Sequence, residues 1–206
     1  MTPIIGVLAL SACNNVNGKV DERSVNINTA VFVEEDDYYG NDGVIMVLLA
    51  THGLNCEEWV SASDDFEDEL NNLDFDDAID EWEASVPEDF WVWDIKIRVD
   101  DVDDKNKGEW DGVDWDDPIT DDDEAKVLAR HWTEYPEEED LLGDVWTGDD
   151  WYHSDEGVLN INGHTPGESI RGNFATMMVD EDGDTEGEVT IHFNAARCRD
   201  LKDYYI

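Results

Sequence analysis

Basic residues and long apolar segments are scarce in this sequence, and their scarcity excludes two classes of protein. Only 12 of the 206 residues are lysine or arginine, whereas 55 are aspartate or glutamate, and the formal net charge is −43. A charge of this size repels nucleic-acid phosphates and anionic lipid head groups, so we expect no nucleic acid as a direct partner. No apolar run reaches the roughly 18 residues that a membrane-spanning helix needs, and the sequence predicts no such helix.

Hydrophobic residues, by contrast, are frequent enough to build a core. They make up 40% of the chain and aromatic residues 10%, which argues against a disordered protein, and the length suits a single domain. The acidity itself has two interpretations, which the composition leaves open. It is typical of proteins adapted to concentrated salt, where charges are screened over roughly 3 Å at 1 M, and it also favours the binding of cations.

The N-terminus has the pattern of a lipoprotein signal. The opening stretch, MTPIIGVLALSAC, is uncharged, mostly apolar and ends in the tetrapeptide LSAC. This tetrapeptide resembles the lipobox of bacterial lipoproteins, in which an aliphatic and two small residues precede the cysteine that carries the lipid. We therefore expect residues 1–12 to be a removable signal peptide, Cys13 to be lipidated and residues 13–17 to form a tether. The alternative is a buried first strand with an incidental cysteine.

The two remaining cysteines lie far apart in the chain. If Cys13 is lipidated, Cys56 and Cys198 remain, and an even number in an oxidising compartment predicts a disulfide between them. His52 and Cys56 are also spaced as H-x-x-x-C, which would place both on one helical turn as a pair of metal ligands. Both interpretations are open at this point.

Alternating and fully apolar segments predict a β-rich domain over residues 18–206. Trp91, Trp93 and Ile95 alternate with polar residues in the clearest strand. The predicted strands cover 18–34, 44–50, 90–99, 126–132, 157–162, 168–179 and 188–195. We expect a mainly β fold, a β-sandwich or flattened barrel of about seven to nine strands.

Two acidic insertions interrupt this pattern, at 57–86 and 100–156. Helical spacing in the first predicts two short amphipathic helices or one broken helix, with Asp64 as an N-cap, covering one end of a sheet. The second is expected to consist largely of loops, 100–124 and 133–156, with docked tryptophans.

The last strands end in a recognisable pattern. Residues 172–175 read GNFA, and residues 193–198 read FNAARC, an F-x-A-x-x-C motif. Together with the lipobox, this resembles uncharacterised secreted bacterial lipoproteins. The resemblance implies a β-sandwich or barrel-like lipoprotein domain in which an early cysteine, here Cys56, accompanies the terminal one. It implies no catalytic residues.

An alternation of acids near the C-terminus is the best candidate for a metal site. Its four oxygen-bearing residues, which could bind Ca²⁺, are Asp180, Asp182, Asp184 and Glu186. The sixth loop position is Thr185, where an EF-hand has glycine, and the twelfth is Ile191 instead of glutamate. Diffuse condensation of cations on the acidic loops is the alternative, and no other cofactor is predicted.

Catalytic motifs are few. Acids flank tryptophans at 114–116 and 149–151, as in glycosidases, whose carboxyl groups do the chemistry while indoles stack on sugars. No G-x-S-x-G, H-E-x-x-H, Walker or G-x-G-x-x-G motif is present. We therefore predict a lipid-anchored, extracytoplasmic protein of the bacterial cell envelope with a non-enzymatic structural or binding role. Its expected partners are the membrane, through the lipid, and cations; the alternative is a carbohydrate-active or other hydrolytic protein.

Overall fold

The fold is a single sheet of nine strands with one helix packed outside it. The computed structural model describes residues 14–36, 38, 42–72, 89–114, 118–132, 150–199 and 201, and the structural statements concern these residues. The strands are β1 (Asn15–Gly18), β2 (Thr29–Glu35), β3 (Gly43–Ala50), β4 (Phe90–Val99), β5 (Gly108–Gly112), β6 (Glu124–Trp132), β7 (Asp150–Thr165), β8 (Ser169–Val179) and β9 (Thr185–Arg197); the helix is α1 (Cys56–Asn72).

The sheet closes on itself. Antiparallel pairings join β2, β3, β4, β6, β7, β8 and β9 in that order, and a short parallel pairing of β9 with β2 completes the ring. That closing contact consists of the pairs Val31–Ala196 and Phe32–Arg197. The prediction of a mainly β fold of the sandwich or flattened-barrel type is confirmed, and the closed ring identifies the barrel form.

The main core fills the inside of this ring. In β4 the alternating residues Trp91, Trp93, Ile95 and Ile97 all face inward and are almost completely buried, as the pattern predicts. Residues of the other long strands meet them there, among them Phe174 and Leu159.

A second core lies on the outer face of β2, β3 and β4. All eight residues of β3 are buried, because its outward side chains are covered by α1, whose Trp59 and Ala62 join the same cluster. The helix thus covers an outer face of the sheet. The expectation that it covers one end was wrong, since the apolar outer side chains of β2 and β3 need a partner of their own.

The helix begins earlier than its sequence pattern suggested. Asn55 caps it. The backbone N–H of Glu58 donates to Asn55 Oδ1 at 3.2 Å, and the backbone N–H of Asn55 donates to Glu58 Oε2 at 2.9 Å. This reciprocal capping box fixes the start at Cys56, so Asp64 lies within the helix and is not its N-cap. The second predicted helix falls in 73–88, outside the described residues.

Two short strands occupy segments expected to be irregular. The proposed tether, 13–17, overlaps β1, which pairs with β9 from Asn15–His192 to Gly18–Val189. The acidic loop 100–124 contains β5, which pairs with β7. Similarly, β7 begins at Asp150 within the expected loop 133–156. These segments are strands because their backbones hydrogen-bond to a neighbouring strand. The polarity of their side chains does not indicate this pairing.

Cys56 and Cys198 form a disulfide with a Cα–Cα distance of 5.5 Å, which confirms the predicted pairing. Because the Cys56 sulfur is covalently bonded to Cys198, it is no thiolate ligand, and the interpretation of His52 and Cys56 as a metal pair was wrong. The His52 ring instead packs edge-on against Trp59, with 4.5 Å between ring centroids. Burial lowers the pKa of His52 to about 4, so its imidazole is neutral at physiological pH.

No helix within the described residues is long and apolar enough to cross a bilayer.

Candidate functional site

A pocket of about 260 Å³ opens at the end of the barrel where β7 begins. Its walls come from the turn after β1, the start of β7 and the turn between β8 and β9, so we call it the acidic mouth pocket. Two aromatic residues, Trp151 and Tyr152, line it. The six carboxylates that line it are Asp21, Asp150, Asp180, Glu181, Asp182 and Glu186.

The turn between β8 and β9 is held by its own first residue. Asp180 Oδ1 accepts the amides of Asp182 at 3.0 Å and Asp184 at 2.8 Å, and the Asp180 amide donates to the Asp184 carbonyl at 3.1 Å. Gly183 has a φ of +79°, a conformation that glycine adopts without strain. One oxygen of Asp180 is therefore already engaged in shaping the turn.

The predicted metal ligands are only partly brought together. Asp180, Asp182 and Glu186 line the acidic mouth pocket, whereas Asp184 is not among its lining residues. Within the described ranges, no three histidine, cysteine, aspartate or glutamate side chains converge closely enough to hold a metal ion. A calcium site at these four residues therefore stays a prediction.

The turn after β1 presents Asp21 to the pocket. Val20 and Arg23 exchange backbone hydrogen bonds of 3.2 and 2.9 Å, and the two residues between them, Asp21 and Glu22, have φ values of 47° and 58°. Two successive positive φ values characterise a type I′ turn, in which aspartate is tolerated.

One arginine partly neutralises the pocket. Arg23 lies 3.3 Å from Asp21 and 3.1 Å from Asp150, measured between nitrogen and carboxylate oxygen. The carboxylates of Glu181, Asp182 and Glu186 have no basic partner within the described part of the chain. With six carboxylates against one guanidinium, the potential in the pocket is strongly negative.

Beneath Arg23 lies a buried histidine with a defined tautomer. His131 Nδ1 is 2.6 Å from Arg23 Nη1, and because a guanidinium only donates, Nδ1 is the acceptor. The proton therefore resides on Nε2, which donates to Asp89 Oδ1 at 2.7 Å. The ring stacks on Trp91 at 4.4 Å. Both ring nitrogens take part in this network, so His131 supports the pocket wall.

Tyr152 forms part of the pocket's aromatic wall. The residue is only 6% exposed, and its ring packs against Trp91 at 5.8 Å. Its hydroxyl has no hydrogen-bond partner among the described residues, although it lies close enough to the pocket carboxylates to sense their charge. Burial, followed by the charges of Asp150 and Asp21, raises the pKa of Tyr152 to about 12. The hydroxyl therefore stays protonated and can both donate and accept a hydrogen bond.

The opposite end of the barrel is closed by a self-contained network. The side chains of Glu34 and His164 are 3% and 0% exposed, with 3.0 Å between Oε1 and Nε2. Arg197 Nη1 lies 2.9 Å from Glu34 Oε2, and the Gly167 amide donates to the same carboxylate at 3.1 Å. The backbone N–H of Asn106 donates to His164 Nδ1 at 3.3 Å. Glu34 and His164 thus have partners within this network, while Arg197 Nε has no hydrogen-bond partner among the described residues.

Most tryptophans serve the core. Of the six in the described residues, five are at most 7% exposed, and Trp151 alone is half-buried at a pocket. The predicted pairs of acids around 114–116 and 149–151 lie partly outside the described residues, at 115–117 and 149.

Several pocket residues carried no sequence signal for this site. Asp21 and Asp150 are separated by more than half the chain. Tyr152 directly follows the segment 149–151, whose acids and tryptophan suggested sugar binding. Only the barrel topology, which places the β1 turn beside the β8–β9 turn, brings them together. The alternating acids from Asp180 to Glu186 are the one part of the pocket that the sequence pattern indicated.

Comparison with protein-family models, with curated proteins and with solved structures finds no match for this chain.

Proposed function

We propose that this chain is a lipid-anchored, extracytoplasmic binding protein of the bacterial cell envelope that takes up a positively charged ligand in its acidic mouth pocket. The observation that carries the proposal is the pocket itself, where six carboxylates from three separate segments face one guanidinium. Carboxylates gathered around a concave site repel one another, and they focus a negative potential that concentrates cations there. Mouths of barrels are also common ligand sites.

A non-enzymatic role fits the way the polar groups around the pocket are used. His131 has both nitrogens engaged by Arg23 and Asp89, and Asp180 organises a turn. The carbohydrate-active alternative has one supporting observation, the half-buried Trp151 beside Asp150. It is weaker because sugar-binding grooves usually offer aromatic faces to the ligand, and the other described tryptophans are buried.

The lipid anchor is supported by two features of the domain. The disulfide of Cys56 and Cys198 is of the kind that persists in oxidising, extracytoplasmic compartments. Strand β1 starts two residues after Cys13. The side-chain oxygen of Asn14 accepts a hydrogen bond of 2.7 Å from the backbone N–H of Asn194. A lipid on Cys13 would therefore hold the barrel close to the membrane surface, with almost no tether between them.

We expect protein expressed with its own N-terminus in a bacterial host to lose residues 1–12 and to be acylated at Cys13. Intact-mass measurement of protein from the membrane fraction should show the trimmed, acylated chain. Cys13→Ser should abolish the acylation, whereas Cys56→Ser should leave it in place. Recovery of an unacylated chain that begins at Met1 would contradict the anchor.

Cation uptake by the pocket is tested with hexaamminecobalt(III), a trivalent probe that needs no direct metal coordination. Calorimetric titration in 0.5 M KCl, which screens diffuse attraction, should show one saturable site. Glu186→Gln should weaken this site about 10-fold or more, the size expected for a hydrogen bond to a charged group. Glu109→Gln removes the same charge from an exposed position in β5 and should have no effect.

A shallow isotherm that KCl suppresses, identical for Glu186→Gln and Glu109→Gln, would contradict the proposal. It would show that cations condense on the acidic surface without using the pocket. A parallel titration with Ca²⁺ and Asp182→Asn tests the metal site predicted at Asp180, Asp182, Asp184 and Glu186.

A further inference from the structure

We infer that the ligand of the acidic mouth pocket is an organic cation, an ammonium or guanidinium group carried by a free polyamine or by a basic peptide side chain. The inference rests on the proposed binding role and specifies its chemistry. It depends on the size of the pocket, on its aromatic wall and on the hydroxyl of Tyr152.

The pocket is too large for a bare metal ion and is not arranged around one. Calcium needs six to eight oxygens at about 2.3–2.6 Å, and among the described residues no three suitable side chains converge. A volume of about 260 Å³ instead accommodates a group of several heavy atoms. Carboxylates spread over such walls match a cation with several N–H donors better than they match a point charge.

The wall already shows how such a cation is held. The guanidinium of Arg23 bridges Asp21 and Asp150 through contacts of 3.3 and 3.1 Å. On the other side of the pocket, Glu181, Asp182 and Glu186 lack a basic partner within the described ranges. A ligand ammonium or guanidinium placed there would pair with them as Arg23 pairs with its two aspartates.

Tyr152 supplies the observation that is independent of the acids. It is more than nine-tenths buried, it lines the pocket, and its hydroxyl has no partner in the described part of the chain. The hydroxyl is not among the fully buried polar atoms, so a ligand N–H that reaches this wall can donate a hydrogen bond to it. The half-buried ring of Trp151 also lines the pocket, where it can contact an organic cation.

The decisive variant is Tyr152→Phe. It removes only the hydroxyl, and because that group makes no hydrogen bond among the described residues, we expect the melting temperature to stay unchanged. Affinity for spermidine should fall about 10-fold or more, the range for one hydrogen bond to a charged group. Calorimetry in 0.5 M KCl measures the affinity, and differential scanning calorimetry the stability.

Two matched variants separate the pocket from the overall charge. Glu186→Gln should weaken spermidine binding about 10-fold or more, whereas Glu109→Gln, with the same change in charge, should not. An end-blocked trilysine peptide tests basic side chains in the same assay. Tighter binding of spermidine identifies a free polyamine as the source, and tighter binding of the peptide identifies a protein ligand.

The outcomes distinguish this inference from the proposed function. If hexaamminecobalt(III) binds in the pocket and neither amine does, the organic-cation inference is overturned while the binding role stands. If none of the three probes gives a saturable site sensitive to Glu186→Gln, both are overturned. Binding of spermidine with equal affinity to the Tyr152→Phe, Glu186→Gln and Glu109→Gln variants would likewise overturn the inference.

Discussion

Replacing both Cys56 and Cys198 with alanine is expected to lower the free energy of unfolding by about 4–5 kcal/mol. The disulfide joins residues 142 positions apart, and a cross-link over so long a loop greatly restricts the unfolded chain. A loss of this size is a large part of the 5–15 kcal/mol that stabilises a typical domain. Urea unfolding of the variant and of the oxidised protein measures the difference.

The position of this disulfide gives a second, local expectation. It joins the first residue of α1 to the residue after β9, and the Cys198 amide donates to the Phe32 carbonyl at 2.9 Å. The adjoining parallel contact that closes the barrel consists of only two residue pairs, Val31–Ala196 and Phe32–Arg197. We therefore expect hydrogen exchange in the double-alanine variant to accelerate most at this seam and least in β7 and β8, whose pairing is long.

Cys13→Ser is the matched control, since it removes a cysteine that lies outside this bond. It should leave the free energy of unfolding of the domain unchanged. A loss below about 1 kcal/mol in the Cys56→Ala, Cys198→Ala variant would contradict the expectation and show that hydrogen bonding and packing alone keep the barrel closed.

The sequence predicted two kinds of strand well. They are strands buried on both faces and strands in which apolar and polar residues alternate regularly. The apolar run of β3 and the alternation of β4 reflect burial directly, because each side chain reports the face it occupies. The short strands β1 and β5 were missed because their residues are mainly polar or glycine. They exist because β9 and β7 offer them unpaired backbone groups, which no local pattern encodes.

The candidate site was predicted only in its local part. The alternating acids from Asp180 to Glu186 form one turn, so their proximity follows from the sequence. Asp21, Asp150 and Tyr152 reach the same pocket through the closure of the barrel. Whether Asp150 has a basic partner depends on Arg23, which lies in the same turn as Asp21 and far from Asp150 in the chain, and such a long-range pairing leaves no mark on a single sequence.

Burial of charge on the outer face of β4 was also unforeseen. Asp94, Lys96 and Arg98 alternate with the apolar residues of β4 and face away from the inner core. Asp94 is nevertheless buried. Its side chain is 2% exposed, that of Arg130 on β6 is 3% exposed, and the two are 2.6 Å apart. Neighbouring Trp132 lies below the Arg130 guanidinium, 5.4 Å from it to the ring centroid.

Arg130→Met is expected to destabilise the protein by about 3–5 kcal/mol, because it removes the guanidinium paired with the buried carboxylate of Asp94 and leaves only the charge of Lys96 to compensate it. Asp94→Leu should cost a similar amount, since it strands the arginine. The double variant should lose far less than the sum, because replacing both partners by apolar residues removes the need to bury either charge. Chemical unfolding of the four proteins forms a double-mutant cycle. As a control, Arg171→Met removes an exposed arginine of β8 and should change stability by less than about 0.5 kcal/mol.

The penalty for Arg130→Met should also grow as the pH rises. Burial raises the pKa of Asp94 above its ordinary value of 3.8, and the charge of Arg130 acts against that shift. Without the arginine the pKa rises further, so the folded state holds the proton more tightly than the unfolded state does. Stability is then retained at pH values below the ordinary pKa and is lost as the pH rises through the raised one. We expect a larger destabilisation at pH 8 than at pH 5, whereas Arg171→Met should show no such trend. Equal penalties at both pH values, together with additive single variants, would mean that Asp94 and Arg130 are not energetically coupled.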